Sequence, residues 1–240
     1  MECPICIHTS DKKYTTQYHK IANSEFLDES VRHNTLALNN SVWASDTIYW
    51  RRDSSYEWID DETMDKMIKA SLLESSMHTN LKIQQRNRST SDAHIVIDWV
   101  GKKDDKYFTS DGILAYAYGP GRSLGGNVVM NSDVLWLLRK EKLTAKEAKE
   151  KGYIDNYSDP TNFIKFFDPL HTMKHEAGGH ALGMRHITDI NQSGKAIMYP
   201  YYNGLREFGE MDIQYIQQLY GEASLSKTII DMIRMRINNF

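Results

Sequence analysis

Four of the chain's nine histidines, His171, His175, His180 and His186, crowd into one short stretch. Around the last three the sequence reads HEAGGHALGMRH, residues 175–186. Neutral imidazoles are zinc ligands, and a hydrolytic zinc site needs three protein ligands with one position left for water. The metal brings that water's pKa down toward about 7. A carboxylate beside the first histidine, here Glu176, can take its proton. His180, Gly183 and His186 keep a further rule: a glycine three residues after a helical ligand ends the helix, and the turn returns a third histidine to the metal.

The first half of the motif breaks its rule. Three residues, Ala177, Gly178 and Gly179, separate Glu176 from His180 where two are expected. Ligands four apart on a helix diverge by about 40°, but five apart they diverge by about 140°. Two local geometries resolve this. A single π-type turn absorbs one residue, and Gly178 and Gly179 tolerate the dihedrals it needs. Alternatively, His171 and His175 form a regular four-apart pair and His180 is left over. The first is preferred, because it keeps Glu176 beside a ligand and the Gly183 turn in use.

The elements that must position these residues are legible from hydrophobic spacing. DTIYWRR (46–52), LKIQQR (81–86) and HIVIDWV (94–100) read as strands, with Ile95, Ile97 and Trp99 on one face. DGILAYAYGPG (111–121) and GGNVVMNSDVLW (125–136) each carry a short strand. The segment 60–80 opens on acids and places Met64, Met67, Ile68 and Leu72 at helical spacing. LTAKEAKEKGY (143–153), the motif segment 171–183 and EMDIQYIQQLYG (210–221) are further expected helices. SKTIIDMIRMRI (226–237), with Ile229, Ile230, Ile233 and Ile237 on one face, reads as a docked terminal helix in preference to a membrane anchor. Strands and helices in this order indicate an α+β fold with a mixed sheet.

With these residues in view, the chain resembles the metzincin metalloproteases, and within them the matrixin catalytic domains. AIMYPYY (196–202) resembles the matrixin Met-turn, EMDIQYIQQLYG the closing helix, and DGILAYAYGPG followed by GGNVV the edge strand and its glycines. The likeness covers about residues 42–222, leaving an N-terminal extension (1–41) and a C-terminal helical tail (223–240). The resemblance implies a twisted mixed five-stranded sheet with an active-site helix, a Met-turn and a C-terminal helix. It implies that His175, His180 and His186 bind one catalytic zinc and that Glu176 is the general base. Met198 would form an apolar floor beneath the metal. Leu114 and Ala115 would pair with a protein or peptide substrate bound as an extended strand, and Pro200 and Tyr202 would wall the main specificity pocket. Core packing is the competing reading for Leu114 and Tyr202.

Departures from the family pattern shape further expectations. Where matrixins place histidines for a structural zinc, this chain has Tyr116 and Val129, so no structural zinc is expected. Several family carboxylates that hold calcium are missing, which argues against calcium. The segment between His186 and Met198 is longer than usual, and the extra residues near ITDINQSG are expected to bulge beside the site. The family's P-R-C-G cysteine switch is not seen. The two cysteines, Cys3 and Cys6, exclude a disulfide framework for the body. A reduced N-terminal segment is favoured for them over a zinc knuckle with His8 or His19, a redox pair, or a thiol covering the metal.

A net charge of −3 gives no pull toward nucleic acid, and no apolar run reaches the length of a membrane span. MECPICIHTSDKKY lacks a secretory signal pattern, so an intracellular place or non-classical release is expected, as a monomer. Function divides into two readings. One is a zinc endopeptidase; the alternative is an impaired matrixin-like pseudoenzyme that binds peptides or proteins.

Overall fold

The computed structural model describes residues 5–8, 42–109, 113–121, 123–138, 143–153, 161, 163–164 and 166–237. Most of the extension, including Cys3, lies outside the described residues. In chain order the strands are β1 (Ile5–His8), β2 (Thr47–Arg52), β3 (Lys82–Gln85), β4 (Ile95–Val100), β5 (Ile113–Ala117), β6 (Asn127–Asn131), β7 (Leu143–Thr144) and β8 (Phe163–Ile164). The α-helices are α1 (Asp61–His78), α2 (Ala145–Glu150), α3 (Pro169–Glu176), α4 (Glu210–Tyr220) and α5 (Leu225–Ile237).

Six strands form one mixed sheet in the order β1-β5-β6-β4-β2-β3. The β2–β3, β2–β4 and β4–β6 pairs are parallel, and β5–β6 and β1–β5 are antiparallel. Five of these strands come from the body of the chain. The sixth, β1, comes from the N-terminal extension and lies along the outer edge of β5, with Cys6 opposite Tyr116 and Ile7 opposite Ala115. β1 also borders α3. Alternation sets which residues enter the core: Ile48 and Trp50 of β2 and Ile95, Ile97 and Trp99 of β4 are buried together.

Helix α1 starts where sequence chemistry requires. Asp60 caps it by accepting from the Thr63 amide (2.9 Å), and Asp61 and Glu62 follow in the first turn. Its apolar stripe, Met64, Met67, Ile68 and Leu72, is fully buried in the core. Ser71 and Ser75, on the same helix, are also fully buried. Their small side chains let α3 approach α1 closely, a contact the metal centre depends on.

Two expectations need correction. The motif segment is not one helix over 171–183: α3 ends at Glu176, residues 177–179 turn, and a separate 3-10 turn spans His180–Leu182. The terminal helix does dock, against α1, but through its polar side. Lys227, Thr228 and Asp231 face α1, and Ile229, Ile230 and Ile233 are about half exposed. The residues added after His186 form a capped 3-10 turn, Ile190–Gln192, on the surface.

Candidate metal centre

Helix α3 is built to carry His175 and stop. Asp168 caps it, accepting from the Leu170 amide (3.0 Å), and Pro169 takes the first helical position, where no amide hydrogen is needed. At the far end the Ala177 amide makes a regular bond to Met173 C=O (2.8 Å). The Gly178 amide reaches the same carbonyl (3.3 Å) from five residues on, a π-type bond. There the helix ends, with Gly179 (φ −110°, ψ −81°) leading into the 3-10 turn. The extra residue is thus absorbed by one widened turn and a break, rather than by a π-bulge inside a continuing helix.

Packing enforces that break. A Cβ on Gly178 would lie 2.7 Å from Lys174 O and 2.9 Å from Ser71 O, and one on Gly179 would lie 2.2 Å from Met198 Sδ and 2.5 Å from His175 O. Only glycine fits at either position. Ser75 Oγ donates to Gly178 C=O (2.7 Å), tying the turn to α1. Met198 sits fully buried under the turn, as an apolar floor would. Its own segment is held by Asp212, whose carboxylate accepts from the Met198, Ile197 and Gly209 amides (3.0, 2.7 and 2.8 Å). Burial pushes the Asp212 carboxyl above its usual range, and the three amides oppose that shift.

The second half of the motif is positioned differently. Gly183 adopts a left-handed conformation (φ 94°) and closes the turn on His180 C=O (2.8 Å). Aromatic side chains from afar bond the carbonyls and the amide around this turn. Trp43 Nε1 donates to Ala181 C=O (2.8 Å) and Tyr220 OH to Leu182 C=O (2.9 Å), while Tyr215 OH accepts from the Arg185 amide (3.2 Å).

The outcome is a convergence of three imidazoles. His175 Nε2 and His180 Nε2 each lie 3.2 Å from His186 Nε2. Among the described residues these three form the group able to hold a metal ion. The far nitrogens are already used: His175 Nδ1 donates to Ile197 C=O (2.6 Å) and His180 Nδ1 to Met184 C=O (2.8 Å). Since a carbonyl only accepts, both rings carry their proton on Nδ1 and turn bare Nε2 lone pairs inward. His186 Nε2 can donate to one of them at most. A cation satisfies all three, and a tetrahedral zinc with Zn–N near 2.0–2.1 Å sets its ligand nitrogens about 3.3 Å apart. Burial, together with the neighbouring His180 and His186, holds His175 well below the ordinary imidazole pKa. Burial brings His180 to about 4. Both are therefore neutral, as metal ligands must be.

The remaining site residues fall around this centre. Glu176 is fully buried next to His175. His171 does not join the trio: its Nδ1 donates to Leu205 C=O (2.8 Å) and its ring meets Tyr202 edge-on at 4.7 Å. Tyr202 is half-buried and its hydroxyl accepts from the Asp168 amide (2.9 Å) at the start of α3. Pro200 is half-buried in the same segment. Leu114 and Ala115 are buried, with side chains in the core. What their strand offers at the edge is backbone, and β1 pairs with it there. Tyr116 and Val129 are cross-strand partners, and Tyr116 OH bonds to Asp105.

Sequence reasoning missed several supports. The Glu74–Lys174 ion pair is buried between α1 and α3, and Lys174 also bonds to Arg206 C=O. Asp212 had one visible signal, an acid in the first turn of a helix just after the Met-turn. Trp43 and Ser75 had none, since their partners are more than 100 residues away.

Comparison with known proteins agrees with this geometry. A family model described as Matrixin matches residues 42–221. Human matrilysin is 30% identical over 200 residues, covering 80% of this chain and 64% of that protein. An invertebrate iridescent virus 3 protein named Probable matrix metalloproteinase 095L is 27% identical, covering 74% of this chain and 44% of its own. Matrix metalloproteinase-2 of Drosophila melanogaster is 26% identical, covering 85% of this chain and 23% of its own. The chain thus spans less than two thirds of the length of these relatives.

Proposed function

This chain belongs to the matrixin family of zinc metalloendopeptidases, and we propose that it is itself an active endopeptidase. The observation that carries the proposal is the inward convergence of three Nε2 atoms, with burial keeping His175 and His180 neutral and Glu176 adjacent in sequence. His175, His180 and His186 would hold the zinc, which supplies Lewis acidity and an acidified water at neutral pH. Glu176 takes a proton from the attacking water and delivers it to the leaving amine nitrogen, so one buried carboxylate serves both transfers. Met198 and the Asp212 clasp keep the floor beneath the histidines rigid and dry.

The substrate would lie extended along β5. That edge already accepts an antiparallel strand, β1, so its backbone groups are oriented for strand addition. A peptide must displace residues 5–8 to use it. Leu114 and Ala115 would then contribute main-chain hydrogen bonds, and Pro200 and Tyr202 would help wall the main specificity pocket. The alternative, a binding-only relative, rests on the five-residue spacing, which on an ideal helix turns His175 away from His180. His175 Nε2 lies 3.2 Å from His186 Nε2 instead, which favours the active reading.

Glu176→Ala tests the assignment. Cleavage of a peptide library is expected to fall at least about 100-fold, the scale of general-base catalysis, with one zinc per chain retained. Undiminished cleavage would reject Glu176 as the base. Zinc-free wild-type protein that stays inactive when zinc is added would reject the endopeptidase.

A further inference from the structure

Helix α5 is amphipathic in reverse. Three of its polar residues are turned toward the protein: Lys227 Nζ bonds Asp231 (2.6 Å) and Ser76 Oγ (3.0 Å), and Thr228 Oγ1 donates to Met77 C=O (3.1 Å). Leu225, Ile229, Ile230, Met232 and Ile233 face outward at 77%, 49%, 50%, 43% and 53% exposure. At 100° per residue these five fall within an arc of about 160°; exposed Ser226 enters that arc near the helix start, and beyond it Ile229, Ile230, Met232 and Ile233 form a continuous apolar patch. Scattered exposed apolar residues need no explanation, but a contiguous stripe marks an interaction surface.

Charge indicates the partner. Residues 225–240 contain Lys227, Arg234, Arg236 and a single acid, Asp231. Asp231 is only 2% exposed and paired with Lys227, so its charge is turned inward and neutralised. By sequence the segment therefore has three basic residues against one acid, a net positive charge. The exposed stripe is aliphatic. Among the described residues it has none of the Trp or Tyr anchors that concentrate binding energy in protein–protein contacts. An aliphatic face on a segment of net positive charge suits a fluid apolar layer under an anionic surface, where no shape match is required. No described helix is long and apolar enough to cross a membrane, so the contact is with the surface.

We propose that α5 is a membrane-surface element: its aliphatic stripe inserts shallowly into an anionic bilayer while its polar face keeps the protein body attached. The same protein, intact, is tested by flotation with phosphatidylcholine vesicles and with vesicles containing about 30% phosphatidylserine. Binding to the anionic vesicles is expected, at least tenfold weaker on the neutral ones and weakened by salt. Ile229→Asp/Ile233→Asp is expected to abolish it, with zinc content and thermal unfolding unchanged because both side chains face solvent. Absence of binding to either vesicle overturns the proposal. So does a concentration-dependent dimer that the double variant dissolves, which would make a second copy the occupant. Binding that the double variant leaves intact also overturns it, since the stripe would not be the contact.

Discussion

The two halves of the histidine segment reach the same point by different means. From His180 to His186 the backbone follows a local rule, a 3-10 turn closed by left-handed Gly183, and distant aromatic residues only fasten it. From His175 to His180 no local rule suffices. The spacing is wrong for a helix, and the geometry is imposed by Ser71 and Ser75 of α1 on one side and Met198 on the other. A motif can therefore depart from its spacing when two neighbouring elements leave room for one path only. Gly178 and Gly179 are what that path requires.

The largest expected effect comes from what the halves share, buried neutral histidines. In metal-free protein, burial holds His171 and His180 at about 4 and His175 well below the ordinary value of 6.5. As pH falls below about 6.5 the unfolded chain takes up protons that the folded chain refuses. Stability is then lost by about 1.4 kcal/mol per pH unit for each such histidine, down to about pH 4 for His171 and His180. Urea unfolding of chelated protein between pH 7 and 5 reads this directly; a flat profile would mean the histidines are not buried neutral.

Substitutions then separate the halves. Gly179→Ala forces a Cβ onto Met198 and the His175 carbonyl. It is expected to cost about 3 kcal/mol and to remove zinc binding. Gly183→Ala strains one left-handed residue, for about 1–2 kcal/mol, and leaves measurable zinc affinity. If Gly183→Ala proved the more damaging, the contrast would be broken. Smallest are Ser75→Ala and Trp43→Phe, each removing one hydrogen bond to a backbone carbonyl for about 1 kcal/mol. Ser75→Ala should lower zinc affinity through His175, and Trp43→Phe should act mainly on thermal stability.

Much of this was readable in the sequence because it is periodic or local. The alternation in Ile95, Ile97 and Trp99, the stripe Met64–Met67–Ile68–Leu72 and the Gly183 turn each declare themselves within a few residues. The ligand trio was legible from residue types, but its geometry was not, because the contacts that bend the chain at Gly179 come from α1 and Met198. The orientation of α5 was misread for a related reason. Isoleucines at helical spacing predict a buried face, yet α1 offers Ser76 and the Met77 carbonyl there, and Lys227, Thr228 and Asp231 answer them. The pairing of β1 with β5 was not legible, since four residues, Ile5–His8, in an otherwise polar extension are too short a stretch to name a partner strand.

The central claim is that His175 reaches the metal despite the extra residue. X-ray absorption at the zinc edge of the zinc-loaded chain tests it most directly. Three imidazole nitrogens at about 2.0–2.1 Å are expected, falling to two in His175→Ala. Two imidazoles in the unaltered chain, unchanged by His175→Ala, would contradict it.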